Sequence, residues 1–375
     1  MLLAEELATL PLPLLKRLQA RGFDPDLLAL WASQIGKDRD ARNRLAGEVL
    51  PPAPEDIVDA PSPTSADYAR FEALGLEALR RGEVALCVLA GGMATRMGGV
   101  VKALVEATQG KTFLELRLAE MASLKRLTGA VCPLWLMTSE ATDGPIRAAL
   151  GDRLASGEVA TFEQFVSLRL RSDGLLFRDE HGAPSEYATG HGDLPDALAA
   201  SGLLDQFVQA GGKTVWIANL DNLGATVSPA ILGYHLSHGG PLTVEVVNKV
   251  GSDKGGGPVR FQGRKIIAEE MRLPLGFDPA SMPVFSTNTF LVQASDLLTL
   301  DMSWTYVEVE KKVGEAKAIQ FERIVNQITM ALPPVMLRVP RDGASSRFLP
   351  VKDMAELERR RPEIDAVLAA QGITV

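Results

Sequence analysis

Four glycines, Gly91, Gly92, Gly98 and Gly99, follow directly on the apolar run 84–90, and the chain returns to helix-like sequence through Lys102. Glycines clustered at a strand end let backbone N–H groups converge on a ligand that side chains would otherwise block, usually a phosphate, for which a lysine supplies counter-charge. Two common phosphate motifs do not fit. In the dinucleotide fingerprint G-x-G-x-x-G the first glycines are separated, whereas Gly91 and Gly92 are adjacent, and Ala94 and Thr95 stand where later glycines would fall. Gly110-Lys111-Thr112 imitates the end of a P-loop, but Val105 occupies the place of its first glycine and no strand precedes it closely. Paired glycines can also make no more than a tight strand-to-helix turn, and spacing alone leaves that reading open.

The surrounding text narrows the choice. "LAGGMATRMG" followed by a lysine resembles the nucleotide-binding loop of the sugar-phosphate nucleotidyltransferases, L-x-G-G-x-x-T-x-[ML]-G. Further segments follow in order: "TFEQ" (161–164), "GHGDL" (190–194), "ANLDNLGATV" (218–227), "VNKVGSDKGGGPV" (247–259), "FSTNTFLV" (285–292), "KAIQFERIV" (317–325) and "SSRFLPVKDMAEL" (345–357). Together they are similar to the eukaryotic-type UTP–glucose-1-phosphate uridylyltransferase family, across about residues 85–357.

That resemblance implies attack by a sugar-1-phosphate oxygen on the α-phosphorus of UTP, with pyrophosphate leaving and Mg²⁺ as cofactor. Catalysis of this kind is mainly charge neutralisation and in-line positioning and needs no protein nucleophile. Leu89, Ala90, Gly91 and Gly92 would hold base and ribose; Thr95, Arg96, Met97 and Gly98 would cover the triphosphate; Lys102 would neutralise the phosphates. Gln164 resembles the family's uracil-reading glutamine, whose amide both donates and accepts. Gly190 would approach the base and His191 the sugar phosphate. Asp221 would be the metal ligand, since magnesium commonly takes one or two carboxylates plus phosphate oxygens. Asn219 is placed near the sugar phosphate or, with Asn222, in the turn. Lys254 and Gly256 belong to a second glycine cluster on the sugar-phosphate side, and Asn288 would bind sugar hydroxyls. A further catalytic lysine falls on Lys311 or Lys312, because the text here is shorter than the family's pattern and the choice depends on where the gap lies; Lys312 is the preferred one. Ser286 and Thr289 replace two asparagines of the sugar-side motif, which leaves open N-acetylglucosamine 1-phosphate or a broad sugar range beside glucose 1-phosphate.

These residues need elements to position them. Apolar strand candidates at 84–90, 131–139, 158–166, 213–221 and 242–250 alternate with helical segments at 112–127 and 193–211. That is the signature of a βαβ series, hence an α/β, Rossmann-like fold with a mixed, mostly parallel sheet covered by helices. In such sheets ligands bind beyond the carboxyl ends of the strands, where Gly91, Gln164 and Asp221 lie. Residues 258–270 alternate about Gln262-Gly263 and predict an inserted hairpin. The expected organisation is an N-terminal helical segment, 1–78, with a proline-rich linker, 51–64; a catalytic domain, 79–345; and a short C-terminal segment, 346–375. The family's C-terminal β-helix is expected to be absent in full.

At 375 residues, 46% hydrophobic and with formal net charge -8, the sequence reads as an ordinary globular protein, and its charge argues against a nucleic-acid partner. No stretch approaches a membrane span, so a cytoplasmic protein, monomer or dimer, is expected, with UTP and a sugar 1-phosphate as its small-molecule partners. Cys87 and Cys132 sit in apolar runs as small core residues. The "HGGP" at His238 resembles a hydrolase oxyanion strand, yet no G-x-S-x-G occurs. A non-catalytic sensor of UTP or a UDP-sugar would have no need of both Lys102 and Asp221.

Overall fold

The structure is a computed structural model that describes residues 3–94, 98–251 and 253–374. Its central sheet has eight strands, β1 (Ile57–Asp59), β2 (Val84–Leu89), β3 (Leu134–Thr138), β4 (Val159–Glu163), β5 (Thr214–Asn219), β6 (Leu242–Asn248), β7 (Val284–Gln293) and β8 (Pro334–Arg338). Their spatial order is β1-β8-β6-β7-β5-β2-β3-β4. Neighbours pair in parallel except at β7, which runs against both β6 and β5. The exception has a local cause. A parallel return needs a crossover, but the segment between β6 and β7 instead makes the expected hairpin, Gly257–Phe261 with Arg264–Ala268, and leaves the chain at the end of the sheet where it began.

Apolar runs without polar alternation arise because both faces are covered. Leu86 and Val88 of β2 join Leu136 and Trp216 in one core, while Ala85 and Cys87 join Met137 and Ile217 in the other. The two-residue period of the strand therefore feeds two helix layers at once. The first layer includes Phe113–Thr128, opened by a capping box between Thr112 and Glu115, and the C-terminal helix Met354–Ala370, capped by Asp353. The second includes Leu194–Ala200 and Leu203–Gln209, where the expected single helix breaks at Gly202, which is left-handed with φ 75°. Both cysteines are buried and free.

Two readings of local sequence change. The apolar stretch 158–166 is one strand on paper; in the fold β4 ends at Glu163 and Val166–Leu168 joins a separate ribbon with Glu186–Ala188. The break follows from competing donors, since Gln164 N bonds Thr138 O while Phe165 N turns to the Asp193 carboxylate. The proline-rich stretch, expected only to link, supplies edge strand β1 from the interval between Pro54 and Pro61, where every backbone N–H is available.

The N-terminal helices Leu3–Ala8, Leu12–Gln19 and Pro25–Ala32 cover the outer ribbons. Leu18, Leu28 and Trp31 pack with Val166, Leu168, Ile319 and Phe321. Asp24 caps the third helix by accepting from Asp26 N and Leu27 N, with Pro25 in its first turn. Among the described residues, no helix is long and apolar enough to cross a membrane.

Candidate active site

A cleft of about 610 Å³ opens at the carboxyl ends of β2, β4 and β5 and is lined by Leu89, Gly91, Gly92, Lys102, Gln164, Gly190, His191, Asn219, Asp221, Asn288 and Lys311 among others. One wall is made of backbone. Ala90 N donates to Met137 O at 2.8 Å and Leu220 N to Leu89 O at 3.3 Å, so the strand ladder continues into the glycine loop and holds it between β3 and β5. A Cβ at Gly91 would lie 2.5 Å from Gln164 Oε1 and would displace the end of that side chain, and Ser139 Oγ donates to the Gly91 carbonyl. Gly92 faces open space. Gly98 is exposed with φ 86°, while Thr95, Arg96 and Met97 lie outside the described residues.

The glycines of Gly190-His191-Gly192 have a cause that the sequence conceals. A Cβ on Gly190 would stand 2.5 Å from Arg323 O, and one on Gly192 would stand 2.5 Å from Ile324 N. Both positions thus admit the returning chain at 323–324 against the motif. Asp193 fastens the junction: its buried carboxylate accepts from Phe165 N, Thr189 Oγ1 and Arg323 Nε, at 3.0, 2.7 and 2.7 Å. Desolvation raises the Asp193 pKa to about 6 against the pull of Arg323. Arg323 also pairs with Asp196 and lies over the rings of Phe165, Trp304 and Tyr306. His191 Nδ1 accepts from Val325 N at 3.0 Å, which assigns the ring proton to Nε2, and burial lowers the pKa so that the ring is neutral.

The other wall is charged. Lys102 Nζ lies 2.5 Å from Asp221 Oδ2 and 2.6 Å from Val351 O. Asp221 follows β5 in a turn held by Asn222, whose side chain bonds Arg347 O and Leu349 N; the Asn219 carbonyl accepts from buried Arg117 while Asn219 itself lines the cleft. Lys311 lines the cleft and pairs with Glu322 across the hairpin Val307–Val313 with Ala316–Glu322, at 3.3 Å. Lys312, the preferred candidate, is turned to the opposite face by strand alternation; its side chain is 66% exposed and pairs with Glu315. Of the two, the fold brings Lys311 to the site. Lys254 is exposed and, like Gly256, is not among the residues lining the cleft.

Asn288 reaches the cleft by a bulge in β7. Glu245 pairs with Thr289 and Val246 with Ser286, so Thr287 and Asn288 are extra residues, and Asn288 is left-handed with φ 55°. Asparagine tolerates that conformation better than most residues. Sequence reasoning missed Glu322, Met93 and Met137 in the lining, and Asp193, Arg323, Glu269 and Asn326 behind it. Glu322 stands two positions after Gln320 on one strand face, but nothing in the sequence says which strand it opposes.

Among the described residues there is no group of three or more His, Cys, Asp and Glu side chains that could hold a metal ion. Asp221, one cleft carboxylate at a strand end, fits a hard cation that brings phosphate oxygens with it, and does not form an all-protein cage.

Comparison with known proteins sets this geometry in context. The family described as UTP–glucose-1-phosphate uridylyltransferase matches residues 46–360. Relatives so named are 29% identical over 304 residues in Saccharomyces cerevisiae, covering 73% of this chain and 58% of that protein, and 30% identical over 285 residues in Hordeum vulgare, covering 72% and 59%. The chain thus spans about three-fifths of the length of these curated relatives. Among solved structures, a UDP-glucose phosphorylase from Trypanosoma brucei aligns with TM-score 0.73 at 22% identity, covering 92% of this chain and 76% of the other. A variant UDP-glucose pyrophosphorylase from Leishmania major aligns with TM-score 0.71 at 23% identity, covering 88% and 73%. At that identity the likeness is one of fold.

Proposed function

This chain belongs to the UTP–glucose-1-phosphate uridylyltransferase family, and from that premise we propose that it transfers UMP from UTP to glucose 1-phosphate, releasing pyrophosphate, with Mg²⁺ as cofactor. The observation that carries the reading is the Lys102–Asp221 pair at the mouth of the glycine loop, a cation and a metal-competent carboxylate 2.5 Å apart in the same cleft.

In this reading a sugar-phosphate oxygen forms a bond to the α-phosphorus of UTP as the bond to the bridging oxygen of pyrophosphate breaks. No proton need be abstracted, because the attacking phosphate is already ionised, so the protein's task is alignment and charge. Backbone groups of Leu89 to Gly92, with Gln164 and Gly190, hold base and ribose. Lys102 leaves Asp221 for the triphosphate, and Lys311 leaves Glu322 for the phosphate of the sugar. Asp221 would hold Mg²⁺, which would supply neutralisation of phosphate charge. His191 offers Nε2–H as a neutral donor to the sugar phosphate, and Asn288 bonds sugar hydroxyls, while Asn219 lies beside the phosphates.

The test is pyrophosphate release from UTP and Mg²⁺ with a panel of sugar 1-phosphates, glucose and N-acetylglucosamine among them. Turnover on glucose 1-phosphate that is lost in Lys102→Ala and Asp221→Ala supports the reading. Binding of UTP with no turnover on any sugar sinks it in favour of a sensor.

A further inference from the structure

The bulge that carries Asn288 into the cleft leaves its amide free to point either way, and a second layer of side chains removes that freedom. Asn326 Nδ2 lies 2.6 Å from Glu269 Oε1 and 3.2 Å from Asn288 Oδ1. An ionised carboxylate only accepts, so the atom of Asn326 that faces Glu269 is its nitrogen. The second proton on that nitrogen needs an acceptor, which Asn288 Oδ1 provides. The order of donors and acceptors therefore runs outward from Glu269 and leaves Asn288 with its own NH₂ for the cleft.

The neighbours hold this arrangement closed. Ser286 Oγ accepts from Asn288 N at 3.1 Å and donates to Asn326 Oδ1 at 3.5 Å. Thr287 Oγ1 fixes the bulge on Glu245 O. A Cβ at Gly256 would lie 2.9 Å from both Asn326 Nδ2 and Glu269 Oε1, so the glycine's absent side chain is the room the pair occupies. Asn326 and Ser286 are buried, and Asn326 does not line the cleft.

We propose that Asn326 is a positioning residue that fixes Asn288 as a hydrogen-bond donor, so that the sugar side of the cleft demands an acceptor oxygen at that point. This rests on the reading that Asn288 faces the sugar, and it locates part of the sugar discrimination in a residue the sugar never touches.

Asn326→Asp preserves shape but puts an acceptor where the donor was, so Asn288 must turn its NH₂ inward. The KM for glucose 1-phosphate should rise about tenfold, the worth of one hydrogen bond, while the KM for UTP stays within about twofold. Across a set of monodeoxyglucose 1-phosphates, wild type should discriminate against one analogue, and Asn326→Asp should discriminate against it about tenfold less. Glu269→Gln, a second isosteric change, removes the enforced acceptor and should raise the sugar KM by roughly threefold. KM values for UTP and sugar that rise together, or a sugar KM that neither variant changes, would overturn the proposal.

Hydrogen exchange of the Asn326 side-chain amide, followed by NMR in ligand-free protein, separates this proposal from the reading beneath it. Slow exchange in wild type that accelerates in Glu269→Gln supports the relay even where no sugar is turned over. Fast exchange in wild type overturns it even where glucose 1-phosphate is a good substrate.

Discussion

On the proposed base side of the cleft, Gly91, Gln164 and Gly190 are held by backbone and side chains packed within a methyl's width of one another; on the proposed phosphate side, Lys102 and Lys311 are held by carboxylates that line the same cleft. The first arrangement is set during folding and has little left to adjust. In the proposed reaction the second changes partners when polyanions arrive, since each lysine serves phosphate only by leaving Asp221 or Glu322. On that reading recognition and chemistry are divided between a rigid wall and an exchangeable one, and preorganisation is concentrated where it lowers the cost of binding.

The largest expected effect lies on the exchangeable wall. Lys102→Ala and Asp221→Ala should each lower kcat for pyrophosphate release by roughly a hundred- to a thousandfold, with melting temperature little changed. A loss confined to KM would mean that the pair belongs to binding. On the rigid wall the expected damage is to folding. Gly192→Ala drives a Cβ into Ile324 N and should cost about 1–3 kcal/mol in denaturant unfolding. Gly91→Ala meets only the flexible end of Gln164, so UTP affinity should fall while stability holds. Equal losses of stability in both would show that Gln164 yields no more readily than the backbone at Ile324.

A smaller contrast separates the two hairpin lysines. Lys311→Ala should cost about tenfold in kcat/KM, whereas Lys312→Ala, which removes a charge from the outer face, should stay within about twofold. The reverse result would return the role to Lys312.

The subtlest effect is in pH. Asp193 ionises near 3.8 unfolded and near 6 folded, so between these values the folded state holds the extra proton. Its ionisation therefore costs stability above pH 6, and that cost is relieved as pH falls toward 3.8. The charge that strengthens the bond from Arg323 is lost as pH falls through about 6, so the KM for UTP should be flat from pH 8 to 7 and climb below 6. Asp193→Asn should abolish the inflection, and a profile that keeps it would assign the titration elsewhere.

Part of the fold and of the site is legible in the sequence because its information is local. The apolar run before Gly91, the strand before Asp221 and the hairpin about Gln262-Gly263 each announce themselves within about ten residues, where strand and turn propensities act. The rest depends on register and on distant contact. Whether Lys311 or Lys312 faces inward is decided by one residue of strand phase. The pairing of Asn326 with Glu269 joins positions 57 residues apart, and the need for Gly190 and Gly192 is set by a chain segment more than a hundred residues later. The break at Gln164 is hidden for the same reason, since the donor competition that ends β4 involves Asp193.

Lys102 rests on the carbonyl of Val351, 249 residues further along the chain. During synthesis the glycine loop and its lysine leave the ribosome long before that carbonyl exists, and helix Met354–Ala370, which closes the core behind it, comes later still. Loop closure of that length is slow and its entropy is recovered only when the last layer docks. A nascent chain that has not yet reached Val351 thus holds the glycine loop with Lys102 still lacking that carbonyl partner.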